Sequence, residues 1–252
     1  ATPDETIDNF SDGDSGSNPV WATYGDLSLV DGSGQVEMSG STLNYFIGGA
    51  LAYAGINGSG QNYLAIEIQN NGNEDVAMAV KLYDDDDGAT SNFSEGYSYS
   101  ATADDLWEVS GNIGTSAFSS MTTLYIPLGS SAFTRLGDGG NANFDIERNN
   151  TDKYASAGLL QIALEMSKYN QSSQAAGVYI SNIYLTDTDD GGATYANYSS
   201  GSIDYESFIP SDVMVIERSE GAELSWTNAD NVDLVAVRAS TETTPSNLSE
   251  GD

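Results

Sequence analysis

The chain contains neither cysteine nor histidine among its 252 residues. Without cysteine there is no disulfide framework, no thiolate metal site and no thiol nucleophile. Without histidine, the usual general base, Ser-His-Asp catalysis and ordinary zinc chemistry are excluded. Cations are scarce too: 7 Lys and Arg stand against 38 Asp and Glu, for a net charge of −31. Nucleic acid and anionic membranes are neutralised by clustered Lys and Arg, so this balance argues against both as partners. No run of ~18 apolar residues exists, which excludes a membrane-inserted helix.

What is present points to a folded β protein. Apolar residues make up 39% of the chain, and 15 Tyr with 3 Trp add the burial that short polar strands need. The length allows one large β domain, or one domain plus a smaller one. Because the acids are interspersed with regular apolar alternation, they do not demand disorder. Salty surroundings and a cation-loaded surface each produce such acidity, and both predict a fold that weakens when salt and divalent ions are removed. The richness in Asn, Ser, Thr, Gly and Tyr fits a secreted or surface-exposed protein. Ala1 is compatible with an N-terminus exposed by cleavage after small residues. Asn-x-Ser/Thr sequons occur at Asn9, Asn57, Asn92, Asn149, Asn170, Asn197 and Asn247.

The chain is organised around residues 178–192, VYISNIYLTDTDDGG. These read as a buried strand, with Val178, Ile180 and Tyr184 on one face and Tyr179, Ile183 and Leu185 on the other. It runs into Asp187, Asp189 and Asp190, followed by two glycines that permit a tight backbone fold around a cation. Residues 21–30 alternate, Asp31-Gly32-Ser33-Gly34 signals a hairpin, and 35–38 supplies the return strand. Residues 46–56 read as a strand with a bend, or a short helix. Leu64, Ile66 and Ile68 share a face, as do Val76, Met78, Val80 and Leu82. With the turn-forming residues 70–73 between them, these two strands predict an antiparallel hairpin.

Short strands are expected at 106–109 and 121–128, the latter at a sheet edge because of Pro127. Residues 159–166 fit strand and helix periods alike, and the β context favours strand. Residues 193–201 read as a small-polar linker or excursion and 203–209 as a strand. Three runs follow, VMVIE, AELSW and VDLVAVR. Their order, with Trp226 on the second, resembles the first half of a fibronectin type III-like domain. The predicted organisation is therefore residues 1–192 as a β-sandwich, 193–212 as linker and extra strand, and 213–252 as a partial fibronectin-like segment.

Asp12, Asp14, Asp187, Asp189 and Asp190 are candidate Ca²⁺ ligands. Calcium takes about six to eight oxygens, and Asp-x-Asp spacing with glycine delivers several from one loop. The same residues also read as solvated acidic turns. In residues 84–87 adjacent carboxylates on an extended chain point opposite ways, which favours a solvated run. Trp21, Tyr97, Tyr99 and Trp107 are candidates for an aromatic platform, since sugar rings stack their C–H faces on exposed Tyr or Trp. For Trp21 and Trp107 the competing assignment is core, whereas Tyr97 and Tyr99 are flanked by Ser and Gly. With 38 acidic residues, a suitably spaced carboxylate pair for glycoside hydrolysis is trivially available and argues nothing for catalysis.

Ile7-Asp8-Asn9-Phe10 and Tyr179-Ile180-Ser181-Asn182-Ile183-Tyr184-Leu185 resemble the first and late strands of jelly-roll carbohydrate-binding modules and their galactose-binding-like relatives. Ser181 stands where an Asp is common. The resemblance covers about residues 5–190. It implies an all-β, antiparallel jelly-roll sandwich, and a structural Ca²⁺ joining the terminal strands through Asp8 or Asp12 with Asp187. The resulting expectation is a non-catalytic, extracellular or cell-surface adhesion module for a glycan or polysaccharide, part of a larger protein. The alternative is a structural subunit of a filament, surface layer or virion tail appendage, joined to copies of itself or a neighbouring surface protein through its C-terminal strands.

Overall fold

The computed structural model describes residues 5–10, 20–25, 27–40, 46–72, 74–84, 105–136, 142–144, 146, 159–168, 177–189, 193–199, 211–218 and 221–227. The chain divides into two compact units, Ala1–Lys168 with Ser172–Ile203, and Tyr169–Gln171 with Asp204–Asp252. The first carries β1 (Glu5–Asp8), β2 (Trp21–Gly25), β3 (Leu27–Gly32), β4 (Gln35–Gly40), β5 (Phe46–Ile56) and β6 (Tyr63–Asn70). It continues with β7 (Val76–Asp84), β8 (Leu106–Ile113), β9 (Thr122–Pro127), β10 (Thr134–Arg135), β11 (Leu159–Lys168), β12 (Gly177–Thr186) and the helix α1 (Ala193–Ser199). The second unit carries the antiparallel pair β13 (Ser211–Arg218) and β14 (Gly221–Thr227), which match the first two C-terminal runs. The expected strand at 203–209 and the third run at 232–238 lie outside the described residues.

The first unit is an antiparallel jelly-roll β-sandwich. One sheet runs β3-β4-β12-β6-β9, with β1 paired to the far half of the β12 edge that also takes β4. The other runs β10-β8-β7-β11-β5-β2. Period-two alternation turns Leu64, Ile66 and Ile68 of β6 inward, and Val76, Met78, Val80 and Leu82 of β7 inward from the opposite side. Ile162, Leu164 and Met166 of β11 join the same cluster. Truncating any one of these to Ala removes fully buried methyl groups and costs about 2–5 kcal/mol.

Several sequence expectations are corrected here. Strands β6 and β7 do not form a hairpin. They lie in opposite sheets, facing one another across the core, where two strands show the same alternation as a paired hairpin would. Asn70 builds the crossover: its Nδ2 donates to the carbonyls of Glu74 and Ile113, and its Oδ1 accepts from Gly72 N. Residues 21–30 are likewise two strands, because Gly25 turns at φ 68° and sends β2 and β3 into different sheets. Gly48 lets this corner close, since a methyl group there would meet Leu27 N at 2.7 Å and Tyr24 O at 2.8 Å.

In β12 a bulge between Ile180 and Asn182 shifts the register. Val178, Ile180, Ile183 and Leu185 therefore all face the core, while Tyr184 joins Tyr125 and Ala65 in a small cluster outside it. Residues 193–199 are a helix rather than a linker. Its Tyr198 is fully buried, with its hydroxyl donating to the carbonyls of Met78 (2.7 Å) and Val109 (3.1 Å). Strand β9 is an edge strand, as Pro127 demands.

Candidate functional site

The outer face of the six-stranded sheet that ends in β2 and β10 is built in rows that the strand register fixes. One row runs Tyr24–Gly49–Glu165–Ala79–Ser110 across β2, β5, β11, β7 and β8. The next runs Ala22–Leu51–Ala163–Lys81–Glu108–Thr134. A third places Gln161, Tyr83 and Leu106 in register, and Leu136 N continues it by donating to Leu106 O. Because alternate residues of these strands fill the core, these point to the other side. Gly49, Ala79 and Ala163 make a floor without bulk, and larger side chains stand around it.

Tyr24 leans over that floor. A methyl group at position 49 would collide with its phenol ring, so glycine is what allows the ring to lie there. Its hydroxyl donates to Glu165 Oε2 at 3.1 Å, and 40% of the residue remains open to solvent. Lys81 Nζ sits between two carboxylates, 3.0 Å from Glu165 Oε2 and 3.6 Å from Glu108 Oε2. Ser110 Oγ donates to Glu108 Oε1 at 3.1 Å. All three charged side chains are about three-quarters or more buried, at 18–25% exposure, so their pairing is screened less than an open surface pair.

Burial works to lower the pKa of Lys81, but its hydrogen bond to Glu165 and the charges of Glu165 and Glu108 outweigh it, and the ammonium is held above its ordinary value. Tyr24 is also raised, first by burial and then by the charge and hydrogen bond of Glu165. The face thus combines a partly exposed planar ring, small residues buried beneath it, and hydrogen-bonding groups that hold one another in place.

Two proposed platform residues are elsewhere. Trp21 and Trp107 are core residues, and neither presents a free ring face. Trp21 Nε1 donates to Asp8 Oδ2 at 2.7 Å and its ring packs against Phe10. Trp107 Nε1 donates to Asp84 Oδ2 at 3.1 Å, with Phe144 against its ring edge-on. Each indole is apolar enough for the core and needs one acceptor there, which a buried carboxylate supplies. Tyr97 and Tyr99 lie outside the described residues.

Asp84 is fully buried rather than solvated, while Asp85, Asp86 and Asp87 of that run lie outside the described residues. Its Oδ1 accepts from Asp105 N, whose own carboxylate, also buried, takes Arg135 Nε and Ala142 N.

The implied calcium site does not assemble from the described residues. Asp8 pairs with Ile183 in register, three residues before β12 ends at Thr186, whereas Asp187 lies beyond that end. Both Asp8 oxygens already accept hydrogen bonds, from Phe10 N (2.8 Å) and Trp21 Nε1. Ser181 donates to Glu67 Oε2 instead of offering a carboxylate. Asp187 is exposed and Asp189 half-buried on the loop after β12. Among the described residues no three Asp or Glu side chains are grouped to hold a metal. Asp12, Asp14 and Asp190 lie outside the described residues.

Sequence reasoning missed Tyr24, Gly49, Lys81, Glu108 and Glu165. A signal was available for one of them: Lys81 is one of only 7 basic residues, set in the middle of an apolar strand at an outward position. The others become neighbours only through the register of separate strands.

No family profile matches the sequence, and no curated protein matches it. Among solved structures, the chain is similar to CtCBM11, with 14% identity over 75% of this chain and 98% of that one, at a TM-score of 0.46. It is similar to the family 11 carbohydrate-binding module from Clostridium thermocellum in complex with a β-1,3-1,4-mixed-linked tetrasaccharide. There the identity is 16%, over 74% of this chain and 96% of that one, with a TM-score of 0.42. It is also similar to TmCBM61 in complex with β-1,4-galactotriose, with 11% identity, 72% and 97% coverage and a TM-score of 0.32.

Proposed function

We propose that the first unit is a non-catalytic carbohydrate-binding β-sandwich that holds a glycan chain on the outer face of its β10-to-β2 sheet. The observation that carries this reading is Tyr24, open to solvent above Gly49 and hydrogen-bonded to the buried edge of the Glu165–Lys81–Glu108 group. A sugar ring stacks its C–H face on such a phenol ring, and its hydroxyls exchange hydrogen bonds with the carboxylates and ammonium beside it. Strand-borne side chains locked by one another keep this geometry without ordering cost on binding.

Catalysis is not supported by the same groups. Glycoside hydrolysis needs one carboxyl to protonate the leaving oxygen and another to attack or to activate water. Here both are committed to Lys81 Nζ, and Tyr24, with its raised pKa, keeps its proton. The richness in Asn, Ser, Thr, Gly and Tyr supports an extracellular or surface-exposed setting.

Affinity electrophoresis and calorimetry against a panel of soluble polysaccharides test the reading. Y24A is expected to weaken binding at least tenfold with unchanged circular dichroism. Undiminished binding by Y24A would remove this face from the mechanism.

A further inference from the structure

Lys81 is the cation that the described part of this face presents to a ligand, and its charge is already paired. Glu165 and Glu108 bracket Nζ at 3.0 and 3.6 Å, and Glu165 also holds the Tyr24 hydroxyl. Two carboxylates against one ammonium leave this charged group net negative, on a chain whose total is −31. Gln161, Ser110 and Thr134 on the neighbouring rows are uncharged. A uronate or sulfate group brought to this surface would meet like charge and, among the described residues of the face, find no unpaired cation. An uncharged hexose would lose nothing by the same pairing, since its hydroxyls donate to carboxylates and accept from the remaining ammonium hydrogens.

We propose that Glu108 and Glu165 act as a charge filter, closing Lys81 to anionic glycans and restricting the face to uncharged ones. This rests on the binding-face reading above. Specificity then arises as much from exclusion as from attraction, by placing a repulsive group where the wrong ligand would bind. Lys81 without its partners would be an anion-binding residue set beside a stacking ring.

Removing the filter should therefore expose the opposite preference. The wild-type chain, E108Q, and E108Q/E165Q are titrated with an uncharged glucan, an uncharged galactan and polygalacturonate in one buffer. The double substitution changes the net charge by two out of 31, so general repulsion barely alters between variants. The wild type is expected to bind at least one uncharged polymer, with polygalacturonate at least tenfold weaker. E108Q/E165Q should bind polygalacturonate at least tenfold more tightly than the wild type does, and E108Q alone should show part of that gain, which keeps the test decisive should the double variant fail to fold.

Equal wild-type binding of polygalacturonate overturns the filter while leaving the binding face intact. So does a folded variant that gains nothing toward polygalacturonate. A wild type that binds none of the three overturns the binding-face reading, and the filter with it.

Discussion

Asp8 and Trp21 are bound to each other inside the sandwich, the indole Nε1 donating to the carboxylate Oδ2 at 2.7 Å. The other oxygen of Asp8 takes Phe10 N, which holds Phe10 in the left-handed region at φ 45°. A residue type associated with a cation in the resemblance is here a hydrogen-bond acceptor for the first turn of the chain. D8N replaces one accepting oxygen with a donor and leaves one N–H facing another. It is expected to cost about 1–3 kcal/mol. Denaturant unfolding should give the same loss in calcium and in EGTA. A loss seen only in calcium would restore Asp8 to the ligands.

Gly49 sets the position of Tyr24. G49A puts a methyl group into the phenol ring and within 2.8 Å of Leu164 O, so the ring must move. Glycan binding should fall as far as in Y24A, while stability drops by about 1–3 kcal/mol for the overpacking. Retained binding would show that the ring is not a stacking surface.

Tyr198 anchors α1 to the core. Y198F removes the donor to Met78 O and Val109 O and should cost about 1–2 kcal/mol. Y198A adds a cavity and should cost about 3–5 kcal/mol. Amide hydrogen exchange in 193–199 should accelerate in Y198A more than in the core strands β7 and β11. Uniform acceleration would mean that the helix has no independent opening.

Alkaline pH should destabilise the first unit. Lys81 has a folded pKa raised by Glu165 and Glu108, net of opposing burial, and Tyr24 and Tyr198 are raised first by burial. For each, the folded state keeps protons that the unfolded state has lost. Their contribution is complete below the unfolded values of about 10 and is lost as pH rises through the folded ones. Melting temperature should fall above about pH 10, and Y198F should lessen the fall. A midpoint independent of pH up to 12 would contradict these shifts.

Salt should stabilise the chain. With a net charge of −31, compaction brings like charges together, and screening relieves this as the Debye length falls from about 10 Å at 0.1 M to about 3 Å at 1 M. The melting temperature is expected to rise with sodium chloride over that range. A flat response would show that the acids are too dispersed to repel.

Local pattern determined much here. Alternation in 64–68, 76–82 and 159–166 marks buried strand faces, Pro127 marks an edge, and Gly32-Ser33-Gly34 marks the β3–β4 turn. Absent cysteine and histidine, and scarce lysine and arginine, set bounds on chemistry that no folding could lift. These are properties of single residues and their nearest neighbours, so they survive without knowledge of the fold.

Pairing is different, because an alternating strand declares its buried face but not its partner. Only the tertiary structure placed β6 and β7 in opposite sheets, let a bulge re-aim Tyr184, and drew 193–199 into the core through one phenol. It alone brought Tyr24 beside Glu165, 141 residues away, and Lys81 between Glu165 and Glu108. Contacts across that separation are decided by register, and register is decided by how the whole core packs.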